Sequence, residues 1–125
     1  GWQLSQLADG TIRLETTSAF AFDVDSAELR ASSLDAYAKF AKAAKAYSQT
    51  VIHIAATARD TSQPNYRQSL ADRRAAALAA YFDGQGLDDT RLRFEGVAAS
   101  KPNSLVILIK PIVAGAEPQA WMSPS

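Results

Sequence analysis

Apolar and polar residues alternate or cluster in five short stretches of the chain, which predicts five extended segments. The turn signal Asp9-Gly10 comes before the first clear alternation. Two of the stretches are nearly continuous runs of β-branched and aliphatic residues, as is typical of buried strands. Pro111 follows the last of them and is expected to end it. The predicted extended segments are residues 11–16, 19–22, 51–55, 91–97 and 105–109.

Two segments between these strands have helical periodicity. The first is predicted to begin at a cap on Ser32 or Ser33 and to run to about Tyr47. The second is predicted to carry Pro64 in its first turn and to end at Gly84, read as a left-handed terminator. Helices that alternate with strands predict an α+β fold of β-α-β-α-β order, with both helices on one face of a mixed sheet. The first helix is expected to bury Leu34, Tyr37, Ala38, Ala41 and Ala44, and to leave Lys39, Lys42 and Lys45 in solvent.

Composition narrows the possible partners. The 125 residues suit one domain, and 47% of them are hydrophobic. Thirteen basic residues balance thirteen acidic ones, so no basic excess indicates a nucleic-acid partner. The sequence has no cysteine and no apolar run long enough to span a membrane.

The ends of the chain suggest a division into three parts. The abrupt start at Gly1-Trp2 is interpreted as a cut behind a leader or anchor. The predicted parts are a lead-in over residues 1–10, a domain over 11–113 and a disordered tail over 114–125. Trp121, in the tail, could instead pack back onto the domain.

No residue pattern predicts catalysis, a metal site or a cofactor, so we do not expect an enzyme. His53 is the single histidine and lies between Ile52 and Ile54, which predicts a structural position on the other face of its strand. Asp23 and Asp25 are two residues apart, which suggests a paired-carboxylate site only weakly; the alternative, which we favour, is that they order a turn. Tyr66, Tyr81 and Phe82 are expected in the core or an interface.

Two phrases, taken together, resemble a known family. Residues 22–29 read F-D-V-D-S-A-E-L, and residues 69–75 read S-L-A-D-R-R-A after a polar loop. In this order they resemble the OmpA-like peptidoglycan-binding family, whose signature is T-D-x-x-G, a short gap, then N-x-x-L-S-x-x-R-A. The resemblance covers about residues 11–112, including Gly96 and the strand introduced by Asn103. It implies a periplasmic domain that tethers outer-membrane proteins, lipoproteins, or motor or secretion components to the cell wall.

The resemblance also implies a ligand site. Members of the family hold the diaminopimelate of peptidoglycan with one carboxylate and one guanidinium. The ligand side chain ends in an ammonium and a carboxylate on one carbon, so it needs an anion and a planar donor fork. Arg74 falls on the carboxylate-binding arginine and Leu70 on the leucine that seats its helix. Thr57 and Asn103 would line the pocket.

The ammonium-binding aspartate of the family has no direct counterpart here. Counting back from Arg74 places Arg59 at that position, whereas counting forward from the strand, with Thr57 on the motif threonine, places Ala58 there. Asp60 is the nearby carboxylate, and using it requires a reshaped loop. Losing one partner of a buried charge pair costs roughly 2–5 kcal/mol, or roughly 30- to 3000-fold in affinity.

The sequence therefore leaves two functions open. One is a periplasmic domain of a Gram-negative envelope protein that binds peptidoglycan weakly or through an altered site, tethered to the outer or inner membrane by a missing N-terminal region. The other is a scaffold that no longer binds the wall and contacts protein subunits of an envelope or secretion assembly.

Overall fold

The computed structural model describes residues 2–46, 49–58, 66–97 and 104–111. A single five-stranded sheet and three helices account for most of them. The strands are β1 (Gln3–Gln6), β2 (Ile12–Thr17), β3 (Thr50–Ala56), β4 (Leu92–Gly96) and β5 (Ser104–Pro111). The helices are α1 (Ser18–Ala21), α2 (Leu34–Lys45) and α3 (Arg67–Gly84), with single 3₁₀ turns at Ala31–Ser33 and Asp89–Arg91.

The sheet has the order β1-β2-β5-β3-β4. Its neighbouring strands are antiparallel except β3 and β4, which are parallel, so the sheet is mixed, as predicted. The parallel pair needs a crossover, and α3 supplies it. Four predicted extended segments correspond to β2, β3, β4 and β5, with bounds that differ by one or two residues.

The core lies between the sheet and the two long helices. Tyr37 of α2 and Leu78 and Phe82 of α3 belong to one buried cluster with Ile52 and Ile54 of β3. Val51 and His53 alternate with those isoleucines and therefore face the other side of the sheet. The described helices thus pack on one sheet face, as the apolar periodicity predicts.

The predicted extended segment at residues 19–22 is wrong. Residues 18–21 form the one-turn helix α1, which the Phe22 amide closes by donating to the Ser18 carbonyl at 2.7 Å. Ala21 and Phe22 are both buried in the core. The turn directs the chain away from the end of β2 while burying these side chains, which a straight continuation of the strand would not do.

The helix ends also differ in detail from the prediction. A 3₁₀ turn begins the first helix, and Ser33 donates its hydroxyl to the Arg30 carbonyl instead of capping α2. The second helix ends at Gly84, as predicted, but the residue with positive φ (95°) is Gly86. Tyr47 and Pro64, which were expected in these helices, lie outside the described residues.

Residues 3–6 of the lead-in form the edge strand β1, which pairs with β2 through a tight turn. Gly10 has a φ of 90°, which suits glycine. The Asp9 carboxylate accepts the Thr11 amide at 2.9 Å, and this hydrogen bond lowers the pKa of Asp9 to about 2. The predicted tail, with Trp121, lies outside the described residues.

The other edge strand, β4, is held very close to α3. A Cβ on Gly96 would lie 2.3 Å from the Asp72 nitrogen, so only glycine fits. The Gly96 amide donates to the Asp72 carboxylate at 3.0 Å, and the Gly96 carbonyl accepts from Gln68 at 2.8 Å. These side chains of α3 cap the main chain of the edge strand at its end.

Candidate functional site

Arg74 lies at the junction of α3, β3 and the loop before α2. It is the eighth residue of α3, so it comes two turns after the helix begins. Leu70, one turn earlier, is fully buried and seats the start of α3. The side chain of Arg74 has an exposed fraction of 0% and is the largest of the fully buried side chains.

The guanidinium of Arg74 is bound to main-chain carbonyls from two distant parts of the chain. Its Nε donates to the Ser26 carbonyl at 2.8 Å, and one terminal nitrogen donates to the Asp23 carbonyl at 3.1 Å. The other terminal nitrogen donates to the Thr57 carbonyl at 3.2 Å, just past the end of β3. The guanidinium carbon also lies 5.0 Å from the centre of the Phe22 ring, in a cation–π contact.

Thr57 is adjacent to Arg74, but its hydroxyl is bound to β5. The Thr57 hydroxyl accepts the Ser104 amide at 2.8 Å and lies 3.3 Å from the Ser104 carbonyl, to which it donates. The Thr57 amide also donates to the Ser104 carbonyl, at 3.1 Å. The side chain is buried, so its first role is to hold the end of β3 to the start of β5.

Of the five predicted ligand contacts, Arg74 and Thr57 lie together. Arg59, Asp60 and Asn103 lie outside the described residues, so their assignments stay predictions. Ala58, the alternative position for the motif aspartate, is described and buried at 2% exposure. In that register a buried methyl group stands in place of the carboxylate.

The acidic loop before α2 contributes to the site in a way that its sequence does not indicate. The F-D-V-D-S phrase is expected to order a turn, and the described loop is ordered: the Ser26 amide donates to the Asp23 carbonyl at 3.1 Å. Asp25 has a φ of 58°, unusual for a residue other than glycine. The Asp23 carboxylate is 3.2 Å from Arg30. The contribution comes from the main-chain carbonyls that accept hydrogen bonds from Arg74, and a side-chain motif does not indicate which carbonyls act as acceptors.

The single histidine is structural in its surroundings, as expected. His53 is 5% exposed and its Nε2 lies 3.2 Å from the Glu95 carboxylate on β4. Burial lowers the pKa of His53 below 6.5, and the Glu95 carboxylate acts in the opposite direction. The neutral imidazole is therefore the favoured form in the folded chain.

The described residues contain no group of three or more His, Cys, Asp or Glu side chains that could hold a metal ion. None of the described helices is long and apolar enough to cross a membrane. What the site offers chemically is a buried, rigidly held guanidinium. Such a group can bind a carboxylate through two parallel hydrogen bonds once a ligand reaches it.

Comparison with known proteins identifies the same family as the motifs. The model of the OmpA family matches residues 21–105 of the chain. Comparison with curated protein sequences gave no match.

Several solved structures share the fold. The periplasmic domain of Helicobacter pylori MotB (residues 78–256) is 17% identical, with a TM-score of 0.78 over 98% of this chain and 87% of that one. The cell wall anchor of the T6SS from Pseudomonas aeruginosa is 15% identical, with a TM-score of 0.74 over 88% and 87%. The peptidoglycan-associated lipoprotein from Burkholderia pseudomallei is 16% identical, with a TM-score of 0.66 over 77% and 89%. At these identities the similarity establishes the fold.

Proposed function

The chain belongs to the OmpA family, and we propose that it is a periplasmic domain of a cell-envelope protein that binds peptidoglycan weakly, through an altered diaminopimelate site. The names of two structural neighbours support this proposal, since one is a cell wall anchor and the other a peptidoglycan-associated lipoprotein. In the proposed site, Arg74 binds the ligand carboxylate and Asp60 binds the ammonium. Arg59, Thr57 and Asn103 complete its edge.

The observation that carries the proposal is the anchoring of Arg74. Three main-chain carbonyls hold its guanidinium in place, so little side-chain entropy would be lost if a carboxylate bound to it. A carboxylate is also a stronger acceptor than a neutral carbonyl. The hydrogen bond to the guanidinium is therefore stronger with a carboxylate, and the desolvation of that carboxylate is a cost set against this gain.

The burial of Arg74 explains why we propose weak binding. Because the side chain is 0% exposed, a ligand reaches it only after the surrounding chain moves. That movement costs free energy, which is subtracted from the gain of the new contact. The absence of an acid at Ala58 removes the ordinary partner of the ammonium and weakens binding further.

A pull-down with insoluble peptidoglycan sacculi tests the proposal. We expect the domain to sediment with sacculi, and free diaminopimelate to release it better than lysine, which lacks the second carboxylate. Asp60→Asn should lower retention by about 30-fold or more, because the ammonium loses its charged partner. The matched control is Asp35→Asn, which changes an exposed acid on α2 that pairs only with Lys39 among the described residues.

Two results would count against wall binding at this site. The domain could stay in the supernatant, or its sedimentation with sacculi could be unchanged by both the Asp60→Asn substitution and added diaminopimelate. The scaffold function would then be favoured. One observation already supports that alternative: the Thr57 hydroxyl and the Arg74 guanidinium, which would serve a ligand, here hold loops and strands together.

A further inference from the structure

An apolar groove runs between α3 and the edge strand β4, on the half of α3 that follows Arg74. The groove has a volume of about 210 Å³. Ala76 and Ala80 form its helix side, and Leu92 and Phe94 form its strand side. A cavity of about 150 Å³ can hold benzene, so this groove has room for one large apolar side chain.

Phe94 is the most unusual residue of the groove. Its register with Ile54 places it on the helix-covered face of the sheet, yet it is 52% exposed. The reason is that α3 presents small alanine side chains opposite it and leaves the ring uncovered. An aromatic side chain exposed beside a groove is a common feature of protein interaction surfaces.

The main chain of β4 is available only at Phe94. At Gly96 the outward amide and carbonyl are bound by Asp72 and Gln68, and the Leu92 carbonyl accepts from Arg93 at 2.9 Å. Alternate residues of a strand direct their amide and carbonyl groups to the same side, so the amide and carbonyl of Phe94 also point outward. No side chain among the described residues binds them. An extended segment could therefore form one pair of main-chain hydrogen bonds there.

Two acidic residues, Asp83 and Asp89, border the groove. No ion pair to either carboxylate is present within the described ranges. The arginines next in sequence donate elsewhere: Arg91 to the Thr50 and Ala44 carbonyls, and Arg93 to the Thr90 carbonyl. The border of the groove is thus negative, and its complement is a basic side chain.

We propose that this groove is a docking surface for an extended segment of a partner protein that carries an aromatic or large aliphatic side chain two positions from a lysine or arginine. The apolar side chain packs between Phe94 and the alanines of α3. The basic side chain two positions along lies on the same side of the extended segment and pairs with Asp83 and Asp89. The main chain of the segment pairs with that of Phe94. The surface is separate from Arg74, because Ala76, the groove residue nearest to it in sequence, comes two positions later and therefore points about 200° away around the helix.

Two synthetic peptides test the surface, acetyl-Gly-Phe-Gly-Lys-Gly-amide and its match acetyl-Gly-Phe-Gly-Glu-Gly-amide. Each is titrated into the isotopically labelled 125-residue chain at low salt, and amide NMR shifts are followed. We expect the lysine peptide to shift Ala76, Ala80 and Phe94, and the glutamate peptide to bind more weakly. The double variant Asp83→Asn/Asp89→Asn should weaken the lysine peptide about two- to thirtyfold and remove the difference between the peptides.

Controls separate this surface from the wall site. Asp35→Asn should leave peptide binding unchanged, and the Asp83→Asn/Asp89→Asn variant should sediment with sacculi as the unmodified domain does. Equal binding of both peptides, shifts outside the groove or no shifts would overturn the proposal. The proposal would also be overturned if the free chain sedimented as a dimer and the Phe94→Ser substitution dissociated that dimer. The occupant of the groove would then be a second copy of the chain.

Discussion

Arg74 connects the loop before α2 with the end of β3, so it contributes to stability as well as to the proposed site. Its three carbonyl partners lie on Asp23, Ser26 and Thr57. Each of these carbonyls accepts a hydrogen bond from the fully buried guanidinium of Arg74, and no shorter or neutral side chain can replace that donor. The position therefore has a structural requirement for arginine independent of any ligand.

We predict that Arg74→Met lowers the free energy of unfolding by about 3 kcal/mol or more, because one buried and two partly buried carbonyls lose a charged donor. Urea denaturation measures the change. Arg73→Met is the matched control: Arg73 is exposed and contacts the Tyr66 ring at 5.2 Å, so its loss should cost about 1 kcal/mol or less. Equal losses for the two variants would contradict a structural role for Arg74.

His53 predicts how stability depends on pH. Burial lowers the pKa of His53 in the folded chain below 6.5, with the Glu95 carboxylate opposing that shift. The unfolded chain then binds more protons, so the stability contributed by neutral His53 is present above about pH 6.5 and is lost as the pH falls below it. Denaturation midpoints should fall more for the unmodified domain than for His53→Gln between about pH 7.5 and pH 5.5. A parallel fall in both would exclude this histidine as the cause.

At the scale of elements, the contact between α3 and β4 depends on one glycine. We predict that Gly96→Ala lowers the free energy of unfolding by about 3 kcal/mol, because the new methyl group would meet the main chain of α3 at Asp72 and Ala71. Thermal and urea unfolding both measure it.

Gly84→Ala is the control for that substitution. Gly84 ends α3 with nothing within 4 Å of an added Cβ, so alanine should be neutral or raise stability by up to about 1 kcal/mol. If Gly96→Ala proves as harmless as Gly84→Ala, then α3 and β4 are not packed as closely as the structure describes.

Across the whole molecule, α3 connects two surfaces with different chemistry. Its first half places Arg74 at the proposed wall site, and its second half borders the acidic groove beside Phe94. A domain with both surfaces could hold the wall and a neighbouring protein at once. The sacculus and peptide experiments therefore address separate properties, and either could succeed without the other.

The sequence predicted most of the elements because their burial is periodic. The alternation at residues 11–16 and the aliphatic run at 51–55 predicted strands in nearly their final positions. The prediction from periodicity failed at residues 19–22, because a pattern of four residues is too short to distinguish one helical turn from a short strand. The strand at residues 3–6 was not predicted, because it has no buried side chain and therefore no pattern of burial along the sequence.

The candidate site was predictable only in part, for a related reason. The spacing of the L-A-D-R-R-A phrase indicated Arg74 as the candidate for binding the ligand carboxylate. Spacing could not show that carbonyls of Asp23 and Ser26 hold its guanidinium, since every residue has a carbonyl.

By itself, then, the sequence determined the family, the α+β class and the candidate residue at the centre of the proposed site, because these depend on periodicity and on motif order along the chain. The tertiary structure alone decided that Arg74 is buried, that Thr57 binds Ser104, and that Phe94 stands exposed beside an acidic groove. The properties of Arg74 and Thr57 depend on contacts between residues 17 to 51 positions apart in sequence, which no local pattern records.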